Sequence, residues 1–403
     1  MIDHRKLGRE LELFCSDPLA GAGLPIWLPD GAAARHAVEE YLREKERRAG
    51  YRHVVSPPLG KRELFELSGH AEHFSDDMFP PMVLPAGDEL ELRPSLCPHH
   101  ALVYRSRGRS YRELPLRIAE IGGMYRSERS GVLGGLSRVR AISLNDGHTF
   151  CAEDQVLDEV RRELALIRQA HADLGVRVSG FHLSLRDSSS HFVDDPAMWE
   201  RASAILRKAL ESSGIDYVEA PGEAAFYGPK IDIQVRDDAG REQTLSTVQV
   251  DYDKPARFDL SYVAADGSRQ VPVMIHRSMA GSLERLFAHL IEVHGGAFPA
   301  WYAPVQAEVL PVGDPEPAHA FQRAGIEAGL RVEVSAAGSL GARIRQAAVR
   351  KVPYAAVIGP REAAAGQVAL RLRDGRELPP MPAAAALDLI GSVVARRSFD
   401  LSG

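Results

Sequence analysis

The sequence predicts an α+β fold over residues 1–300, built on a mainly antiparallel sheet, followed by a smaller α/β domain over residues 301–403. Three observations carry that division. Strand-like stretches are interspersed with long amphipathic helices up to about residue 294. The run Gly-Gly-Ala-Phe-Pro-Ala-Trp-Tyr-Ala-Pro (295–304) then breaks the pattern and reads as a linker. Beyond it strand and helix alternate, the rhythm of a small domain with a largely parallel sheet.

Residues 32–49 carry helical spacing and stop at Gly50, a glycine just past a helix end. Residues 51–58 read as a strand closed by Pro57 and Pro58, and short helices follow at 62–69 and 100–107. Leu116 to Ile121 and Val139 to Leu144 read as two strands joined by a long glycine-rich loop. In residues 153–174, Val156, Val160, Leu164 and Ile167 recur at spacings of three and four until Gly175 stops the helix. A strand at 177–185, a helix at 196–212 and strands at 230–236 and 242–252, separated by a turn at 237–240, come next. Val271 to Ile275 is a strand and Gly281 to His294 a helix. After the linker, segments at 306–311, 317–329, 331–335, 340–351, 354–358, 367–372 and 383–396 supply the alternation.

Composition narrows the class. With 403 residues, 45% hydrophobic and 26% charged, the chain has the make-up of an ordinary globular protein of two or three domains. The charged opening residues suggest no secretory signal, and no apolar run approaches the roughly 18–20 residues needed to span a bilayer. Three cysteines are too few for a disulfide framework, so a reducing cytoplasm is expected. A net charge of −6 disfavours a nucleic-acid binder held by bulk charge, although local patches can still serve.

The stretch Met124 to His148 concentrates polar residues. Arg126 and Glu128 precede the glycine-rich turn, Arg138 and Arg140 follow it, and Asp146 and His148 stand two apart. Strand alternation would put each of these pairs on one face. Arginines suit a bidentate grip on phosphate or carboxylate, and Asp with His suits a metal or a small polar ligand. A solvated hairpin with surface ion pairs fits the same residues. Three further groups stand out: Cys97 with His99 and His100, Tyr227 to Asp232 with Ser246 to Gln249, and His276 and Arg277 with Ser282 to Arg285. Cys97, His148 and His276 have no zinc-finger spacing; by themselves the cysteine reads as a small core residue and the histidines as satisfied or surface residues rather than as metal ligands. Arg285, just after Gly281 and Ser282, could meet a phosphate at a helix N-terminus or pair with a neighbouring carboxylate.

Taken in order, the proline-closed strand, the arginine hairpin and the Gly-Ser-x-Glu-Arg helix resemble motifs 1, 2 and 3 of class II aminoacyl-tRNA synthetases. The likeness is greatest to the threonyl-tRNA synthetases. Residues 3–14, 63–70, 110–120, 225–231 and 271–277 carry it further, so it covers nearly the whole chain. It implies an antiparallel class II catalytic sheet flanked by helices, then an anticodon-binding-type α/β domain. It implies an enzyme that activates threonine with ATP and magnesium and transfers it to threonine tRNA, as a homodimer away from any membrane. Cys97, His148 and His276 match three ligands of one zinc ion per chain, which in the family takes the amino acid's amine and hydroxyl. Arg126 and Arg285 match the catalytic arginines of motifs 2 and 3. Glu128, Arg138, Ile142 and Thr247 match ATP contacts. Asp146, Tyr227, Lys230, Gln249 and Ser282 match the amino-acid pocket, and Glu362 and Arg371 match anticodon readers.

The sequence also departs from the family. Ser95 and Leu96 replace Met-Asn before the cysteine, Ile142 replaces an adenine-stacking aromatic, and Leu144, Thr244 and Ser246 replace two glutamines and a glycine. Leu144 cannot make a glutamine's hydrogen bonds. The loop Ser335 to Ser339 lacks the charged and amide residues usual there. Residues 303–403 hold twelve Lys/Arg against ten Asp/Glu, so the end of the chain is mildly basic. The chain opens where the family's catalytic core opens, so the small N-terminal and editing domains are expected to be absent. These departures motivate a second reading, a paralogue activating threonine or a β-hydroxy or β-amino analogue for a carrier protein or small molecule.

Overall fold

The computed structural model describes residues 2–189, 191–237 and 239–403, so Asp238 of the expected 237–240 turn lies outside the described residues. The chain forms two compact units. One comprises residues 16–25 and 41–289; the other comprises 2–15, 26–40 and 290–403.

The first unit is organised by an eight-stranded sheet. Its strands are β1 (Arg52–His53), β2 (Leu116–Tyr125), β3 (Ala141–Cys151), β4 (Val178–Leu185), β5 (Val218–Pro221), β6 (Lys230–Arg236), β7 (Glu242–Asp251) and β8 (Val273–Ser278). Their order is β5-β4-β6-β7-β8-β3-β2-β1. Only the outermost pairs, β5 with β4 and β1 with β2, are parallel. The β2–β3 hairpin runs in register from Leu116 opposite Phe150 to Tyr125 opposite Ala141. The predicted strand at 51–58 is cut to two residues plus one further bond from the Val54 amide to the Ala119 carbonyl. Pro57 and Pro58 have no N–H to extend the ladder.

Helix α1 (Cys97–Arg105) starts three residues earlier than its periodicity predicts, with Pro98 in its first turn, where the missing N–H costs nothing. Helices α2 (Val156–Leu174) and α3 (Pro196–Ser212) bury Val160, Leu164, Ile167, Trp199, Ala202 and Leu206. Helix α4 (Leu283–His294) follows β8. The turn before it needs Gly281, which has φ +65° and would place a Cβ 2.3 Å from the Leu245 carbonyl oxygen. A side chain there would collide with backbone as well as strain the turn.

The second unit carries strands β9 (Ala307–Pro311), β10 (Val332–Val334), β11 (Tyr354–Ile358), β12 (Gln367–Leu372) and β13 (Met381–Pro382), ordered β10-β9-β11-β12-β13. The sheet is mixed rather than largely parallel: β9 is parallel to β10 and β11, but β11–β12 and β12–β13 are antiparallel. A single six-residue helix (Pro360–Ala365) connects β11 to β12. That is too short for the crossover a parallel neighbour requires. Its core gathers Phe321, Tyr354, Ile358, Leu370, Ile390 and Val393. Among the described residues no helix is long and apolar enough to cross a membrane.

Candidate active site

Register assembles the site on one face of the large sheet. Lys230 lies opposite Gln249, Gln249 opposite His276, and His276 opposite His148. Two residues along, Glu120 faces Asp146. Strand alternation puts Glu120, Asp146 and His148 on the same side. Above them lies an open cleft with a cavity volume of about 260 Å³. Arg126, Asp146, Tyr227, Gln249, His276 and Arg285 line it, and Ile142, Thr247 and Ser282 line it as well.

At one end Cys97, His148 and His276 offer ligand atoms all within 4.8 Å of one another, each residue buried. The donor set fits a cation by hydrogen count. A chain of contacts runs Asp251 Oδ2 – His276 Nε2 (2.8 Å), His276 Nδ1 – His148 Nε2 (2.9 Å), His148 Nδ1 – His100 Nδ1 (2.6 Å), His100 Nε2 – Glu120 Oε2 (3.2 Å). Each contact needs one hydrogen between its atoms, yet three neutral imidazoles carry only three for four contacts. Burial of all three rings works against a fourth proton. A cation between the facing nitrogens of His148 and His276 removes the shortfall, and Cys97 brings a thiolate to balance it. Burial pushes the free Cys97 thiol up to about 11, so binding a cation would have to displace that proton.

Asp146 Oδ2 lies 3.8 Å from His148 Nε2. Burial and then the nearby Glu120 charge raise its pKa to about 7, against the pull of Arg277 and Arg93. Glu120 behaves oppositely. Burial alone would raise it, but hydrogen bonds from His100 and Ser56 and the Arg93 charge hold it at about 2.

The other end of the cleft is cationic. Arg126, Glu128, Arg138 and Arg140 lie beyond the ladder, in the segment joining β2 to β3, so strand alternation does not order them. Backbone bonding does: the Arg126 amide donates to the Arg140 carbonyl, and the Arg140 guanidinium returns to the Glu128 carbonyl at 2.9 Å. Arg126 stacks over Phe74 at 4.9 Å, and its buried Nε has no hydrogen-bond partner. An oriented, partly orphaned guanidinium suits an incoming anion. Arg138 pairs with Glu128 (2.8 Å). Arg285 donates to the carbonyls of Ser137 (3.3 Å) and Thr244 (3.2 Å), and the Ser282 hydroxyl accepts from the Arg285 amide. The surface carboxylate pairing open to Arg285 from sequence is therefore not what holds it.

Tyr227 donates to Gln249, which donates to Thr247 at 3.1 Å. Lys230 pairs with Asp232 and is absent from the cleft wall. The sequence reading grouped His100 with Cys97 but gave it no role, and it missed Glu120 and Asp251 as partners of the site. The three-residue step from Cys97 to His100 on one helix face is the signal that could have found His100.

The unusual residues are built into the fold. Ser95 Oγ lies 3.1 Å from Cys97 Sγ. Ser246 accepts from His171 Nε2 (2.7 Å) and donates to the Met279 carbonyl (2.7 Å). Ser246→Ala should therefore strand a buried imidazole N–H and cost about 1–3 kcal/mol, read from urea denaturation. In the second unit Glu362 caps its own helix through the Gly359 amide (3.0 Å), and Arg371 pairs with Glu377.

Residues 84–294 match the tRNA synthetase class II core domain (G, H, P, S and T), and residues 306–392 match the anticodon binding domain. Threonine–tRNA ligase of Listeria welshimeri is 49% identical over 92% of this chain, and the chain spans 58% of that relative's length. The crystal structure of the RNA binding domain of threonyl-tRNA synthetase from Cryptosporidium parvum superposes with a TM-score of 0.92 at 32% identity, covering 97% of this chain and 98% of that one. A putative threonyl-tRNA synthetase from Aeropyrum pernix follows at TM-score 0.83 and 28% identity, covering 99% and 97%. The chain belongs to the class II aminoacyl-tRNA synthetases and, among them, to the threonyl-tRNA synthetase family.

Proposed function

We propose that this chain activates threonine with ATP and transfers the threonyl group to tRNA. The observation that carries the reading is the Cys97–His148–His276 cluster, whose His276 lines the same cleft as Arg126 and Arg285. Residues 1–300 would carry activation and residues 301–403 the tRNA contacts, with Glu362 and Arg371 among them. A homodimer working in the cytoplasm completes the reading.

The chemistry asks the protein mainly for position and charge. Arg126 meets the α-phosphate as the amino-acid carboxylate attacks it, and Arg285, also in the cleft wall, steadies the nucleotide. Glu128, Arg138, Ile142 and Thr247 hold the rest of ATP, and magnesium accompanies its phosphates. Pyrophosphate leaves, and a tRNA terminal hydroxyl then attacks the adenylate carbonyl, losing its proton and breaking the acyl–phosphate bond so that AMP departs. Asp146, Tyr227, Gln249 and Ser282 form the amino-acid pocket, while Lys230, expected there from the sequence, pairs with Asp232 outside the cleft wall. Cys97, His148 and His276 would hold zinc, which supplies a Lewis-acidic contact for a β-hydroxyl. Shape alone separates threonine from valine weakly, whereas a site that requires the hydroxyl rejects valine by about 10⁴-fold.

Pyrophosphate exchange over all amino acids, followed by charging of total tRNA, tests this. The expected result is exchange with threonine, valine trailing by about 10⁴-fold in kcat/KM, and charging of threonine tRNA. Zinc measured in the purified protein should approach one equivalent per chain. Exchange without charging of any tRNA overturns the transfer half, and no exchange with any amino acid overturns the whole reading.

A further inference from the structure

Four groups hold the far side of the candidate metal cluster, Asp251 and His100 by direct contact and Lys254 and Glu120 through them. His276 Nε2 meets a carboxylate directly, at Asp251 Oδ2 (2.8 Å), and the buried Lys254 ammonium lies 3.3 Å from the same oxygen. His148 has no carboxylate at its far nitrogen. It meets another imidazole instead: His148 Nδ1 and His100 Nδ1 are 2.6 Å apart, and His100 Nε2 is 3.2 Å from Glu120 Oε2. His100 and His148 are each 1% exposed or less, so no water competes for these contacts.

We propose that His100, backed by Glu120, is a positioning residue that fixes His148 as the Nδ1–H tautomer and so turns its Nε2 lone pair toward the cation. The inference rests on the metal-site reading above. The hydrogen count forces the direction. Glu120 is a carboxylate and only accepts, so His100 must donate from Nε2. A neutral His100 then has a bare Nδ1, so His148 must donate from its own Nδ1. That leaves His148 Nε2 without a hydrogen, as a ligand requires.

Glu120 is itself fixed from three directions. It accepts from the Ser56 hydroxyl (2.6 Å), the Ser56 amide (3.2 Å) and Arg93 Nη2 (3.2 Å). Arg93 is locked in turn by the Gly123 carbonyl at 2.6 Å. The ligand's tautomer is thus referred back to the rigid β2 strand and to the segment after β1. The relay also gives His100 a reason to be histidine rather than another buried apolar residue of α1. A neutral imidazole at this position both accepts from His148 and donates to Glu120, which an apolar side chain cannot do.

The test compares wild type, His100→Asn and His100→Leu in the full chain. Asn keeps an acceptor where Nδ1 stood, and Leu keeps bulk without one. Zinc affinity is read by competition with a chromogenic chelator, thermal stability separately. Outer-shell loss of this kind costs about 10–100-fold in metal affinity. His100→Leu should fall by that much, with His100→Asn between it and wild type. Equal zinc affinity for Leu and Asn, whatever their stabilities, overturns the relay. Nitrogen NMR of the zinc-loaded wild type gives a second test that needs no variant. His148 must show a protonated Nδ1 and a metal-bound Nε2, and the reverse assignment overturns the proposal. A wild type that holds no zinc instead defeats the metal-site reading itself, so the two failures are distinct.

Discussion

Arg126→Ala is expected to lower threonine-dependent pyrophosphate exchange by about 10²–10³-fold in kcat, the usual effect of removing one preorganised donor from developing charge. Three features make Arg126 the sharpest probe of the cleft. Its guanidinium is stacked on Phe74 rather than paired with a carboxylate. Its Nε is buried without a partner, which desolvates a donor that a phosphate would satisfy. Burial, set against the pull of Asp77 and Glu128, lowers its pKa, yet an arginine remains charged at neutral pH. Arg138, by contrast, is half-exposed and already paired with Glu128, so Arg138→Ala should cost far less. The measurement is steady-state exchange at saturating threonine and ATP, with zinc content as a control. Unchanged kcat in Arg126→Ala would remove this residue from the chemistry.

How much of this is legible without the structure follows from what a single sequence encodes. Elements with strong period and clear punctuation come out at their observed limits, such as Pro196–Ser212 with its proline start and Lys230–Arg236 ahead of an Asp-Gly-rich turn. The order of the three motifs names the candidate residues, and the sheet brings Cys97, His148 and His276 together although 51 to 179 positions separate them. What cannot be read is which polar residues serve one another. His100, Glu120 and Asp251 sit on different elements, and their contacts depend on register between strands and on how α1 lies over the sheet. The hairpin shows the complementary limit. Alternation describes Asp146 and His148, which lie within a ladder, and fails for Arg126 to Arg140, which leave it after Tyr125. Ser246 reads as damage to a pocket because its partner, His171, lies 75 residues away on α2.

The opposite face of the sheet supplies the largest expected loss of stability. Arg277, next to the candidate ligand His276, alternates onto that face and is 1% exposed. It meets Glu46 Oε1 at 2.8 Å and Glu163 Oε2 at 3.3 Å, and its guanidinium stacks on Tyr51 at 4.5 Å. Gly147 makes the room: a Cβ there would lie 2.6 Å from Arg277 Nη2. Arg277→Ala removes the cation that both buried carboxylates, Glu46 and Glu163, pair with, so it should cost about 3–5 kcal/mol in denaturation. The loss has a pH signature. Burial would raise Glu46, but the Arg277 charge and hydrogen bonds from His53, Arg277 and Asn145 lower it below 4.5. A carboxylate depressed on folding contributes stability above its ordinary range and loses it as pH falls through the folded value. Wild type should therefore lose the Glu46 contribution on acidification below about pH 4.5, while Arg277→Ala has lost it already. The stability gap between the two proteins should narrow in acid and be widest near neutrality. Converting both carboxylates to glutamine in the Arg277→Ala background should recover part of the loss, since the penalty lies in unpaired charge rather than in missing contacts. A gap independent of pH and unrelieved by those glutamines would instead assign the cost to the cavity left beside Tyr51.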